Sequence, residues 1–321
     1  MSQTAWPMTP TPFKSNAEAR TANLWELTRN ELFKLWHRRL VWGMLILDLF
    51  FVFAAWCVLV YYATKTSDGF TPGHLLGGTN GLSDAIGQPM TLGRRAGEFI
   101  VAALGGLAFG GEFSSGSIRL VLSRGVNRAS YLAAKYIALA IACLMLVIAG
   151  LLLSMVLTNF LLIVHRPAPT LLNLNGPTLL TILGICIGTF ENFLFCLLFG
   201  ATLSIISRSA AFGIAAAFGY LIGEDIAANI LPVIGKTLHT PLGNQIVNLL
   251  FTTNLNAFYA NSLPAFLAKG LDQLDGVIAC NLSSKACVTV NTGQSFIVPL
   301  AWALVLGGIS TYLFIKRDVM Q

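Results

Sequence analysis

Apolar runs long enough to cross a bilayer alternate along this chain with short polar breaks. A membrane span needs about 20 predominantly apolar residues. Six stretches meet that length or approach it: about Val41 to Tyr62, Ala96 to Gly111, Ser130 to Val164, Pro177 to Ile206, Ala210 to Ile234 and Phe296 to Ile315. The second is the shortest and is rich in glycine; the last is stopped by Lys316, Arg317 and Asp318. A different period precedes the first span. Projected at about 100° per residue, Leu24, Trp25, Leu32, Phe33, Leu35 and Trp36 fall on one side of segment 23–39, and Glu26, Asn30, Lys34 and His37 on the other. Two tryptophans and a basic flank suit a helix lying in the membrane interface. Asn23 and Glu26 stand where a helix cap and its partner would. The pattern predicts an all-α polytopic membrane protein. Residues 40–321 make a six-helix transmembrane domain behind an N-terminal interfacial amphipathic helix.

Two long segments between spans are polar and are read as outer loops. Residues 63–95 are Gly-rich and show no secondary-structure period. Residues 235–295 form a large loop between helices five and six, in which Pro241–Tyr259 and Ser262–Leu274 carry apolar residues at helical spacing. Residues 1–22 are polar, with Pro7, Pro10 and Pro12, and read as a mobile cytoplasmic tail. They lack the apolar core of a secretory signal peptide.

Composition agrees with the pattern. The chain is 55% hydrophobic and 11% charged, with a mean hydropathy of +0.71, whereas soluble domains carry about 25% charged residues. The net charge of +6 does not point to nucleic acid, because the cations sit beside the spans, where they set orientation and meet anionic lipid. With both termini inside, most Lys and Arg fall in the cytoplasmic segments, so the expected location is the cell membrane, multi-pass, with cytoplasmic termini. Arg94 and Arg95, placed outside by this topology, run against the bias.

Among the short polar breaks, segment 111–129 has the most unusual chemistry. It carries Glu112, Arg119, Arg124 and Arg128, with Lys135 just beyond, around the apolar group Ile118, Leu120, Val121 and Leu122. That group is too short to span and too apolar for a passive linker. It needs something to pack against, and arginine can bond a partner's carboxylates bidentately. Pairing of Glu112 with Arg128 would close the base of the loop.

This segment resembles the cytoplasmic coupling segment of ABC-2 type transporter permeases, through Glu112, Gly116-Ser117, Leu122-Ser123, Arg128 and Lys135. The sequence departs at Gly125, where that family usually has proline. The resemblance implies a permease subunit of an ATP-driven exporter, paired as a homodimer or heterodimer of permease subunits. It implies a separate ABC ATP-binding subunit that docks on Glu112, Gly116, Ser117, Ile118, Arg119, Leu122, Arg124 and Arg128. It also implies re-entrant helices between the fifth and sixth spans. ATP and Mg would be bound by the partner and no cofactor by this chain; Gly235-Lys236-Thr237 is not a phosphate loop, because position 230 is Ile230 rather than the first glycine of that pattern.

Carboxylates inside the spans are the other candidates. One at the centre of a span costs roughly 2.5–3.5 kcal/mol on insertion scales, so each must face a cavity, a partner or a proton. Glu191, Asn192, Glu224 and Asp225 are the candidate translocation path, with internal hydrogen bonding as the alternative; Asp48 is assigned to internal bonding. Gly106 with Gly110, Gly184 with Gly188 and Gly219 with Gly223 are spaced for close helix approach, within the chain before between chains. Cys57, Cys143, Cys186 and Cys196 lie in apolar runs as small hydrophobes. Cys280 and Cys287 lie in a polar loop, close enough to form a disulfide if that loop is external. No Ser-His-acid grouping, nucleophile elbow or metal-ligand spacing appears, so catalytic and metal sites are expected to be none. Two alternatives from other classes remain at this point: a membrane-embedded enzyme acting on lipid or cell-envelope precursors, and a stand-alone channel.

Overall fold

The computed structural model describes residues 23–65, 81–123, 126–165, 176–240, 242–257, 277–280, 287–290 and 292–316. Its elements are α1 (Leu24–His37), α2 (Arg39–Lys65), α3 (Gly81–Ser114), α4 (Ser117–Leu122), α5 (Arg128–His165), α6 (Gly176–Ser207), α7 (Ala210–Thr237), α8 (Leu242–Leu249), α9 (Phe251–Ala257), β1 (Val277–Cys280), β2 (Cys287–Val290) and α10 (Thr292–Lys316). Helices α2, α3, α5, α6, α7 and α10 are each long and apolar enough to cross a membrane. The protein is thus an all-α polytopic membrane protein, with one short antiparallel hairpin, β1–β2, in the loop before α10. The N-terminal tail and the Ser262–Leu274 segment lie outside the described residues.

Helix α3 is the centre of the bundle. Its spanning part is 72% buried, against 11% for α2 and 17% for α7. It packs on α2, α5, α6 and α7, most extensively on α6. Glycine makes that contact possible. A Cβ on Gly105 would lie 2.3 Å from the Leu197 carbonyl oxygen, and one on Gly200 2.1 Å from that of Ala102. Both obstacles are backbone, so the two helices could not stay this close with any side chain there. Gly106 and Gly110 do the same against α7, where added Cβ atoms would meet Ile214 and Ala210. Gly219 and Gly223 face open space. Around α3 one apolar core gathers Phe109, Leu139, Leu146 and Leu197, and a second gathers Phe195, Phe199, Leu221, Phe251 and Leu306.

Two expectations are corrected here. Residues 81–95 are not loop but the first 15 residues of α3, which is 34 residues long. Gly81, Gly87, Pro89, Gly93 and two arginines hide that helix from any hydropathy reading. Tertiary contacts supply what the local sequence lacks: Ile86 is fully buried and its carbonyl accepts a hydrogen bond from Ser154 Oγ of α5 (2.6 Å), and Gly93 packs against Val52 of α2. The helical stretch expected over Pro241–Tyr259 is broken into α8 and α9. Helix α8 turns back along α7, with Gly243 so close to the Leu231 carbonyl that a Cβ would lie 2.2 Å from it.

At the other end, α1 lies against α5 and is joined to α2 at a sharp corner. Asn23 occupies its N-cap position without any side-chain cap hydrogen bond, so the expected capping pair does not form. Its buried face is Thr28, Glu31 and Leu35. Leu24, Trp25, Phe33 and Trp36 are exposed on the surface of the chain, as an interfacial helix requires.

Candidate functional site

The break between α3 and α4 is written into the backbone. Gly116 has φ +68°, a left-handed conformation that glycine adopts without the Cβ penalty of other residues. Its N–H bonds the Phe113 carbonyl, and the Ser115 N–H bonds that of Gly111. The Ser115 and Ser117 hydroxyls share the remaining bonds of this turn: both donate to the Glu112 carbonyl (3.4 Å each), and the two hydroxyls lie 3.0 Å apart. The Gly116-Ser117 pair thus reverses the chain so that the six residues of α4 emerge as a separate helical turn-and-a-half.

Helix α4 does not present all of its apolar residues outward. Ile118 is 1% exposed and belongs to the core, whereas Leu120 is 62% exposed. Val121 is half-buried. Ile118 therefore anchors the helix to the bundle, and Leu120 is turned outward. The backbones of Arg119 and Leu122 lie in α4; Arg124 lies outside the described residues.

The base of this segment is closed by a pairing different from the expected one. Glu112 is buried and accepts a 2.6 Å hydrogen bond from the Tyr131 hydroxyl; its carboxylate also pairs with the Lys135 ammonium. Lys135 is 3% exposed and lies over the Phe109 ring, 4.8 Å from its centroid. Arg128, which was expected to meet Glu112, donates instead to the Ile315 carbonyl at the end of α10 (2.9 Å). All three lie on one face of α5: Tyr131 and Lys135, one turn apart, meet the last turn of α3, and Arg128, almost a turn earlier at the start of the helix, meets the end of α10. Asn127 caps α5 by accepting from the Ala129 N–H (3.0 Å). Glu31 of α1, itself buried and paired with Lys34, lies within electrostatic reach of Lys135 and Tyr131. Interfacial helix, α3, α4 and α5 thus converge on one buried cluster of charge.

A second polar cluster lies near the middle of α3, at the other end of its spanning part, Gly93–Ser114. Arg94 donates to Glu98 Oε1 (3.0 Å), and Arg95 donates to both Glu98 Oε2 (3.4 Å) and Asp225 Oδ1 of α7 (3.3 Å). These ion pairs compensate the two arginines where α3 enters its apolar part. The neighbouring Glu224 looks elsewhere: its Oε1 accepts the Thr252 N–H at the start of α9 (2.6 Å), where a carboxylate is favoured by the helix dipole. Phe195 of α6 stacks on Phe251 at 3.7 Å beside it. Asn192 is fully buried and accepts from the Cys196 thiol (3.6 Å), and Cys196 lies within electrostatic reach of Glu98, Arg94, Glu224 and Arg95.

Of the four candidate path residues, the structure therefore brings Asn192, Glu224 and Asp225 to this cluster and leaves Glu191 apart. Glu191 is half-buried, on the α6 face that also carries exposed Leu183 and Ile187. Asp48 is buried at the α2–α3 crossing, with its carboxylate against Gly97. Gly235-Lys236-Thr237 ends α7 rather than opening a helix, the reverse of a phosphate loop. Sequence reading passed over Glu31, Glu98, Tyr131 and Thr252. Glu31 and Glu98 had a visible signal, the three- and four-residue spacings from Lys34, Arg94 and Arg95 that place opposite charges on one helix face; Tyr131 and Thr252 had none.

Comparison with known proteins fits this architecture. No individual curated protein sequence matched the chain. Residues 25–319, from the interfacial helix to the end of the last span, match the family described as ABC-2 family transporter protein. Permeases of that family work, in general, with ABC ATP-binding subunits. With its six spanning helices and this match over nearly its whole length, the chain belongs to the ABC-2 family of transporter proteins and is a membrane permease component of an ABC transporter.

Proposed function

We propose that this chain is the permease subunit of an exporter, that it works as a dimer of permease subunits, and that a separate subunit binds ATP and Mg and docks on segment 111–129. In this reading both termini and α4 are cytoplasmic, and α1 lies in the interface of the cytoplasmic leaflet. The observation that carries it is the way α4 is tethered. It hangs between α3 and α5, which are pinned to each other at its base by Glu112, Lys135 and Tyr131. Ile118 ties it to the same core. A push on α4 by a closing ATPase therefore passes to α3, whose spanning part is the most buried of the described helices, and on to the Arg95–Asp225 contact at the far end of that part. Opening and closing of that far end gates the path past Asn192, Glu224 and Asp225. Gly116, Ser117 and Glu112 shape and hold the segment; Arg119, Leu122, Arg124 and Arg128 supply the docking chemistry.

The test is subunit retention on an affinity column beside substrate-stimulated ATPase activity of the assembled transporter. Arg119→Ala removes a charge-assisted contact worth about 1.5–3 kcal/mol, so ATPase affinity should fall by roughly 10- to 100-fold. Leu122→Asp should do the same, with membrane insertion intact in both. Two variants that match the wild type in both assays would reduce the segment to a topology signal.

A further inference from the structure

We propose that the furrow in the corner between α1 and α2 binds one anionic glycerophospholipid, with an acyl chain in the furrow and the phosphate on Arg38 and Arg39. This rests on α1 lying in the membrane interface, as proposed above, but not on any role in ATP-driven transport. The furrow is walled by α1 and α2 and floored by α3 and α5; Leu35, Trp36, Trp42, Leu45, Leu104 and Leu146 are among its lining residues, all of which are apolar. Nothing in that lining asks for a polar ligand, and hydrocarbon is the chemistry that fits it.

The walls are fixed by the local fold. The Trp42 indole N–H donates to the Trp36 carbonyl (2.9 Å), and the two rings meet edge to face at 4.7 Å. This holds the corner open instead of letting the tryptophans collapse into it. From Arg39 to Leu45 the furrow descends about 9 Å along α2 at 1.5 Å per residue. That keeps it within the roughly 15 Å that one leaflet contributes to the hydrocarbon core.

The charge at the mouth selects the headgroup. Arg38 and Arg39 are both exposed and sit in the corner itself, between lining residues Leu35 and Trp36 on one side and Val41 and Trp42 on the other. Glu31 of α1 turns inward and pairs with Lys34. A phosphate there meets two cations, each worth about a fivefold factor in affinity for anionic lipid near the surface. Because the buried face of α1 carries Glu31 towards Lys135 and Tyr131, a lipid seated in the furrow also holds α1 against the cluster at the base of α4.

The experiment uses the purified full-length chain in phosphatidylcholine nanodiscs containing a trace of phosphatidylglycerol with a photoreactive diazirine on one acyl chain. After photolysis, adducts are mapped by peptide mass spectrometry. Labelling should concentrate on the furrow, at Trp36, Trp42 and Leu45, and unlabelled phosphatidylglycerol should displace it where additional phosphatidylcholine does not. Arg38→Gln with Arg39→Gln should lower furrow labelling by about 25-fold, and Leu104→Trp, which fills the floor and leaves the cations alone, should abolish it. Labelling spread evenly over exposed Phe50, Ile222 and Leu304 would overturn the proposal, as would equal competition by both lipids. So would a furrow left unlabelled because a second copy of the chain covers it. The wild-type competition needs no variant to fold, and none of these readouts depends on ATPase or transport.

Discussion

Removing the charge of Glu112 should loosen the protein at the base of α4, and a double-mutant cycle with Lys135 measures by how much. The two side chains retain only 7% and 4% of their exposure. Glu112→Leu leaves the Lys135 ammonium buried without its paired carboxylate, beside the ring faces of Phe109 at 4.8 Å and Tyr131 at 5.6 Å and within reach of Glu31, and such ring contacts return about 0.5–2 kcal/mol. Breaking one side of a buried ion pair costs about 3–5 kcal/mol. Lys135→Met is milder, because the Tyr131 hydroxyl still bonds the carboxylate at 2.6 Å, which preserves about 1.5–3 kcal/mol. Replacing both by apolar residues removes the desolvation penalty together with the attraction, and such swaps are often neutral. The double variant should therefore sit close to the wild type, with a coupling energy of about 3 kcal/mol between the two sites. The assay is equilibrium unfolding of the four proteins in one detergent, followed by far-UV circular dichroism. If the losses of the two single variants add in the double to within about 0.5 kcal/mol, the pair is not a coupled unit and cannot transmit force as one.

Gly200→Ala forces a methyl group onto the Ala102 carbonyl and should cost at least the 1–3 kcal/mol or so of an overpacked core, whereas Gly219→Ala, facing open space, should gain about 0.8–1 kcal/mol of helix propensity; equal unfolding midpoints for the two would contradict the α3–α6 crossing. Cys280 and Cys287 are direct partners across the β1–β2 hairpin. Antiparallel partners have Cα atoms roughly 4.5 or 5.5 Å apart, both within the range a disulfide accepts. In unreduced, denatured protein these two should resist alkylation while the remaining cysteines react; two free thiols would refute the bond, which is worth roughly 2–3 kcal/mol for so small a loop. Glu191→Gln should leave unfolding unchanged and alter transport in reconstituted vesicles, because a half-buried carboxylate on an otherwise apolar face is costly to keep without a use; unchanged transport would make it a structural residue.

The spans and the interfacial helix were legible because solvation belongs to one residue at a time. Val41–Tyr62 is apolar whatever surrounds it, and the bilayer requires any such run to satisfy its backbone as a helix. The same holds for the amphipathic period of α1 and for the Gly-Ser break before α4, which local backbone chemistry dictates. What the sequence left open depends on pairs of residues far apart in the chain. The first 15 residues of α3 read as loop until Ser154 and Val52 are seen to hold them. Glu112 was expected to meet Arg128, but its partner is Lys135, two turns further along the same face of α5, and the choice was made by how far along α5 the end of α3 crosses it. Glu224 and Asp225 are neighbours in sequence, yet one fastens α9 and the other reaches Arg95, because successive residues of a helix point about 100° apart. Apolarity sorted the chain between lipid and water; only the packing of α3 against its neighbours decided which charges meet inside it.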